Sequence, residues 1–481
     1  MESKKSEKLN ILGYVLFALT SFLITCNSAT ILLKEDYLNP DSYVYRYMGM
    51  LMAKGEMPYV DGFDNKGPFL YFLNYIGYLI NKRYGVWIIE LIFVFLFLIV
   101  SYRFALRFVP SVTSFFCVIF SVSSFSVFFE GDMTEEFALF FLAISLYVFT
   151  DYFLFNNVKP INIIVCGACF GATLLLKPNM VILWPVFCLY VLIHFLYKHH
   201  KFPFKFTCEF MGGFLGFISP FIIWLYAKGA LTEFWKATYL TNFSMTDGLF
   251  SFKDLFITMK EFFITSMMEV YFAFLIFMII KKKNVIFNLI YIVYMLVNLF
   301  MSSMVCIPAA HYGMILIPSF LYPACAFVNY ILENYHKIKK SIFNVLALVL
   351  SIGLIVFFTK NLSSFVIGMS EGNKLDSDKE QVISMITENT ENDDRILVIG
   401  FRCSYYVLSD RLSSSQFFYQ NVNVHYPDGD KIMIDDINSN LPKVLIVEND
   451  KDFGKWFEHY DCYELVDIQH GVWLLKDEYT P

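Results

Sequence analysis

Residues Lys34 to Ile80 read KEDYLNPDSYVYRYMGMLMAKGEMPYVDGFDNKGPFLYFLNYIGYLI, the one long polar segment in the first half of a very apolar chain. Asn39-Pro40 has the form of an N-cap followed by proline at the first helical position, which predicts a short helix from Pro40 to about Lys54, ended by Gly55. Asp41 then falls in the first turn, where unpaired amides and the positive end of the helix dipole favour a carboxylate. A general base needs that ionised form, but so does a carboxylate that merely punctuates a surface helix. A second turn, Tyr59 to Pro68, contains Gly62, Gly67 and Pro68 and folds the backbone back on itself. Acid and base can therefore return to one place, and the stretch reads as an active-site loop.

The rest of the chain sets that loop against a membrane. With 481 residues, 57% of them hydrophobic and 55 of them Phe, the composition excludes an ordinary soluble enzyme and indicates a polytopic membrane protein. Apolar runs of spanning length begin at Ile11–Leu33 and continue through Val86–Phe108, Val112–Phe129, Phe137–Phe155, Ile161–Leu176 and Met180–Tyr197. Phe206–Ala227, Phe262–Ile280, Val285–Met304, Tyr312–Ile331 and Ile342–Phe358 bring the total to about eleven transmembrane helices. Phe69–Ile80 is too short to cross and is expected to lie at the interface.

Charge placement gives the orientation. With the N-terminus cytoplasmic, Arg103/Arg107, Lys159, Lys198/Lys201/Lys205, Lys281–Lys283 and Lys337/Lys339/Lys340 all face the cytoplasm, and only Lys82-Arg83 is left outside. This expectation sends Lys34–Lys66, Glu130 to Glu136, Lys177-Pro178, Lys228–Glu261, Ile307–His311 and everything after Lys360 to the extracytoplasmic face. Trp235, Tyr239 and Phe243 share one helical face in the fourth of these segments, which suits either a membrane anchor or a grip on a lipid substrate. Gly167/Gly171 and Gly212/Gly216 have the spacing of close helix packing. Glu90 and Glu269 lie in apolar runs and read as structural rather than catalytic.

After Lys360 the composition becomes polar. Arg395–Gly400 and Lys443–Glu448 read as buried strands and Tyr463–Leu475 as a hairpin around His470-Gly471, so residues 361–481 form a small extracytoplasmic α/β domain beside the membrane domain, 1–360. Gly400 belongs to no dinucleotide fingerprint, and no P-loop, HExxH or basic-aromatic surface for nucleic acid is present. The ten cysteines form no CxxC pair, so a zinc site is not expected. Cys403 and Cys462 are the one pair expected to share the outer domain, and spacing does not decide whether they form a disulfide.

Several of these residues carry a resemblance. Asp41, Tyr45 and Arg46 in a tyrosine-rich loop helix, then Gly55-x-x-Pro58-Tyr59, then Asp64-Asn65-Lys66-Gly67-Pro68, resemble the first outer loop (34–85) of the GT-C glycosyltransferases. The protein O-mannosyltransferase-like and aminoarabinose-transferase-like members, which use polyprenyl-phosphate sugars, are the most similar. Thr134-Glu135-Glu136, GATLLLKPN at Gly171–Asn179, and His311-Tyr312 with Pro318 continue the resemblance to about Lys360. It implies Asp41 as the catalytic carboxylate and Lys66, in Lys-Gly-Pro rather than a Lys-Pro-Pro turn, near the donor phosphate. Asp64, Arg46, Tyr45, Tyr59, Glu136, Lys177 and His311 are the further substrate-binding candidates. The implied activity is transfer of a hexosyl or pentosyl group from a lipid-linked donor to an envelope glycan, lipid or protein, at the cell membrane.

The chemistry is consistent with one carboxylate. A polyprenyl-phosphate sugar already carries a stable leaving group, so a base for the acceptor hydroxyl and cations for the departing phosphate suffice, whereas a glycosidase needs a carboxylate pair. No cofactor is evident. A divalent metal on Glu35, Asp36 and Asp61 is conceivable but unsupported by spacing. A transporter, flippase or polymerase of lipid-linked glycans is the alternative; the halves show no inverted symmetry and the long acidic loop comes early rather than late.

Overall fold

The computed structural model of the chain describes residues 2–30, 40–123, 128–156, 159–242, 244, 250–334, 359, 366, 377–419, 426, 428–448 and 460–479. The chain divides into two units. The first contains Met1–Ser28, Ile89–Pro220 and Leu249–Ser370, and the second contains Ala29–Ile88, Phe221–Gly248 and Glu371–Pro481.

Helices run in order α1 (Glu2–Thr25), α2 (Pro40–Ala53), α3 (Pro68–Ile80), α4 (Gly85–Ala105), α5 (Ser111–Ser121), α6 (Thr134–Thr150), α7 (Pro160–Leu176), α8 (Leu183–His199) and α9 (Phe204–Ala227). They continue as α10 (Leu231–Trp235), α11 (Phe252–Thr265), α12 (Met268–Ile280), α13 (Val285–Ser303) and α14 (Leu321–Glu333). Among the described residues five helical stretches are long and apolar enough to cross a membrane: Gly85–Ala105, Thr134–Phe155, Phe204–Ala227, Val285–Ser303 and Ala310–Glu333. The expected spans at Ile11, Val112, Ile161 and Met180 correspond to shorter apolar helices. The one from Ile342 to Phe358 lies outside the described residues.

Two departures from the sequence expectation are local. The run Phe262–Ile280 is not one rod, because α11 and α12 meet at 75°. Met267, at φ +53, lies in left-handed backbone that an α-helix cannot contain. The glycine pairing is also corrected. A Cβ on Gly212 or Gly216 would meet nothing within 4 Å, whereas one on the adjacent Gly213 would come within 1.8 Å of the Ile164 carbonyl oxygen. Gly167 makes the reciprocal approach to the Phe210 carbonyl at 1.9 Å. The α7–α9 contact is thus a backbone-to-backbone one that tolerates no side chain at these two positions.

In the second unit α2 and α3 pack equally closely, since a Cβ on Gly49 would lie 2.5 Å from the Asn74 carbonyl carbon. The C-terminal residues form a five-stranded sheet of order β2-β1-β3-β5-β4, built from β1 (Arg395–Ile399), β2 (Leu412–Ser413), β3 (Val444–Val447), β4 (Tyr463–Asp467) and β5 (Val472–Leu475). β1 pairs parallel with β2 and β3, with Leu397 opposite Leu445, and the β4–β5 hairpin adds antiparallel to β3, with Leu445 opposite Trp473. β1 and β3 are buried along nearly their whole length, as continuous apolar runs in a parallel sheet require. Helices α15 (Ser377–Asn389), α16 (Ser404–Ser409) and α17 (Gly429–Ser439) complete this region. Cys403 and Cys462 are both buried free thiols.

Candidate active site

Pro40 opens α2 and places Asp41 in its first turn. Tyr45 lies one turn further along the same helix face, as residues four apart do. Lys66 comes to that face from the second turn: its Nζ is 5.7 Å from the centre of the Tyr45 ring and donates to Asn65 Oδ1 at 2.6 Å. The turn is pinned by its own backbone. Tyr59, at φ +71, donates its N–H to the Gly62 carbonyl at 2.7 Å, and Asp61 Oδ2 accepts from the Met57 N–H at 2.6 Å. Buried Tyr59 donates its hydroxyl to the Lys66 carbonyl at 2.9 Å. Asn242 donates to the Asn65 carbonyl at 3.0 Å and accepts from Asn65 Nδ2 at 3.1 Å.

Asp64 is the buried centre of this arrangement, with 1% of its surface exposed. Tyr71 donates to Oδ2 at 2.7 Å and Tyr419 to Oδ1 at 2.8 Å. Burial pushes the Tyr419 phenol well above its ordinary range, and the charges of Asp64 and, more weakly, Asp41 push it further. All three groups therefore share one electrostatic neighbourhood. The sheet region is bound to the loop elsewhere as well. Phe63 N–H donates to the Gln416 carbonyl at 2.8 Å, Tyr47 stacks on Phe418 at 3.9 Å, and Arg395 pairs with Glu56. Asp410 accepts from Lys82 and from Tyr78, each at 2.8 Å. Arg46 turns toward the carbonyls of Lys82 and Arg83, at 3.5 and 3.4 Å, and lies over Tyr43.

The remaining candidates belong to the first unit. Lys177, at the C-terminal end of α7, forms an ion pair with buried Glu135 at 2.7 Å, and its Nζ lies 4.2 Å from the Tyr312 ring centre. His311 Nδ1 is 3.0 Å from Glu130 Oε2 and its ring meets Tyr312 edge-on at 4.3 Å. Lys177, Tyr312, His311 and the two carboxylates thus make one cluster. His311 and Pro318 lie in an eleven-residue 3₁₀ stretch, Ala310–Phe320. Such a run is long for that helix type, and such stretches often mark a functional hinge or a sequence under strain. Glu136 points elsewhere, into the protein, where its electrostatic neighbours are Glu90 and Asp132. Glu90 is fully buried, accepts from Ser28 Oγ at 2.9 Å, and accepts from the Asp132 N–H. Gly131, at φ +89, is obligatory there, because a Cβ would lie 2.0 Å from Ser28 Oγ.

Reading the sequence missed Glu135, whose role follows from its helix phase. It is one residue from Glu136 and so lies about 100° around α6. Tyr71, seven residues from Asp64, and Tyr419, 355 residues from it, were also missed; an isolated tyrosine carries no local signal for its hydrogen-bond partner. Among the described residues no three His, Cys, Asp or Glu side chains converge in a way that could hold a metal ion.

This architecture is shared with solved proteins. ArnT from Cupriavidus metallidurans in the apo state superposes with a TM-score of 0.59 at 12% identity, covering 96% of this chain and 97% of its own. The same protein bound to undecaprenyl phosphate gives 0.59 and 12%, with 97% and 99% covered. The Archaeoglobus fulgidus oligosaccharyltransferase in complex with Zn and sulfate gives 0.49 and 12%, with 94% and 71% covered. The fold is that of the GT-C glycosyltransferases: mostly helical, with several apolar helices and a small sheet. No curated protein matches the sequence. The chain belongs to the family described as "Putative competence-induced protein Ccs4 N-terminal domain", whose model matches residues 2–322.

Proposed function

We propose that the protein is an integral-membrane glycosyltransferase that moves a sugar from a polyprenyl-phosphate carrier to an envelope glycan, lipid or protein on the extracytoplasmic face. The observation that carries this reading is the position of Lys66 Nζ against Tyr45, one helical turn from Asp41, within a GT-C fold. The ArnT structure with undecaprenyl phosphate supports the same class of donor. Asp41 takes the proton of the acceptor hydroxyl as its oxygen attacks the anomeric carbon. The bond from that carbon to the phosphate oxygen breaks, its electron pair stays with the polyprenyl phosphate, and Lys66 neutralises the charge that develops. A single displacement inverts the anomeric centre. The N-terminus is cytoplasmic and the sheet region extracytoplasmic.

The test is to incubate the purified chain in lipid vesicles with a panel of polyprenyl-phosphate sugars and, separately, with the matching nucleotide sugars. Turnover confined to a lipid-linked donor is expected. Turnover of a nucleotide sugar alone, or lipid-linked glycan moved across the vesicle with no transfer, would replace this reading with another.

A further inference from the structure

One feature of the first unit has no part in the proposed transfer: a cavity of about 340 Å³ between α4, α6 and α7, within the size range of small-molecule sites, roughly 300–1,000 Å³. Its lining is graded. On α4, Ile99 and Val100 precede Arg103 by one turn, and on α6, Ile144 precedes Tyr147 and, a further turn on, Asp151. On α7 the order is reversed, with Asn162 leading Val165. Every polar group therefore lies at one end and the apolar body of the cavity extends toward the middle of the helices. This is the profile of an amphiphile.

The charge at the polar end determines which amphiphile fits. Asp151 opens a π-helical turn, Asp151–Phe155, and is already neutralised by Arg107, whose Nε is 2.9 Å from Oδ1. Arg103 is exposed and lies 5.5 Å from the Tyr14 ring centre; among the described residues no carboxylate pairs with it. The polar end thus carries one uncompensated positive charge at the end of a membrane-type helix. Basic pockets between such helices take anionic headgroups, and a long side chain can reach the headgroup level while its stem stays in the apolar layer.

We infer that this cavity binds one anionic phospholipid, its phosphate on Arg103 and the first part of an acyl chain along Ile99, Val100 and Ile144. The inference is independent of the glycosyl-transfer reading. The experiment titrates the full chain, purified in a non-ionic detergent, with phosphatidylglycerol, with phosphatidylcholine of the same chains, and with inorganic phosphate, and counts bound lipid by native mass spectrometry. One cation at the headgroup predicts roughly fivefold tighter retention of phosphatidylglycerol. Arg103→Gln is expected to bring the two lipids level, Arg103→Lys to keep the preference, and Val148→Trp to weaken both by filling the space. Equal retention of both lipids by the wild type, or a preference that survives Arg103→Gln, overturns the proposal. Displacement of phosphatidylglycerol by inorganic phosphate alone overturns it too, because it makes the site one for a free anion.

Discussion

Tyr419 Oη donates a 2.8 Å hydrogen bond to Asp64 Oδ1, joining residues 355 positions apart and tying the Lys66 turn to the sheet region. Asp64 is buried and takes its second such bond from Tyr71. A buried carboxylate that loses a donor bears its desolvation cost, about 1–3 kcal/mol. Tyr419→Phe keeps the ring and removes only the hydroxyl, so its thermal unfolding in detergent should report a loss of that size. It should also raise KM for the lipid-linked donor more than it lowers kcat, since the Lys66 turn is loosened. An unchanged melting temperature and KM would mean that this bond carries no weight.

The pair Lys177–Glu135 makes a different prediction because both partners are largely buried. Lys177→Met leaves the Glu135 charge uncompensated, which costs about 3–5 kcal/mol. Lys177→Met with Glu135→Gln removes both charges and should recover most of that stability. Stability that falls further in the double variant than in the single one would contradict the account.

Asp410 predicts a pH dependence. Burial works to raise its carboxyl, but the hydrogen bonds from Lys82 and Tyr78 and the charge of Lys54 outweigh it and hold the group below the usual carboxylate range. A depressed folded-state value contributes stability that is present above about pH 4 and is lost as the pH falls through that folded value. Asp410 has φ +56, a conformation that Asn also accepts, so Asp410→Asn tests the charge with little change in backbone. Melting temperatures of wild type and variant should differ at pH 6 and converge toward pH 3. A constant gap across that range would show that the carboxylate charge is not the source.

What the sequence disclosed, and what it did not, follows the range of the interactions. Pro40 and Gly55 bracketed α2 because helix openers and breakers act within a turn, and the helix is Pro40–Ala53 with Gly55 at φ +91, while Asn39 lies outside the described residues. Pro68 opens α3 and the apolar run stops at Ile80, as its length indicated. Strands β1 and β3 and the β4–β5 hairpin were legible as short buried runs with a turn between them, but the two-residue β2 has no periodicity to read. Nothing local says that Asp64 meets Tyr419, or that Arg46 turns to the Lys82 and Arg83 carbonyls. Likewise Glu135 and Glu136 are alike in sequence, and only helix phase decides that the first meets Lys177 while the second faces Glu90.

The central claim is that Asp41 is the base that activates the acceptor. The direct measurement is single-turnover transfer from a saturating polyprenyl-phosphate sugar by wild type and Asp41→Asn, with donor binding measured on the same preparations. Loss of a positioned general base predicts a rate lower by about 10²–10⁴-fold with donor affinity little changed. A variant that transfers the sugar at the wild-type rate would remove Asp41 from the chemistry and contradict the account.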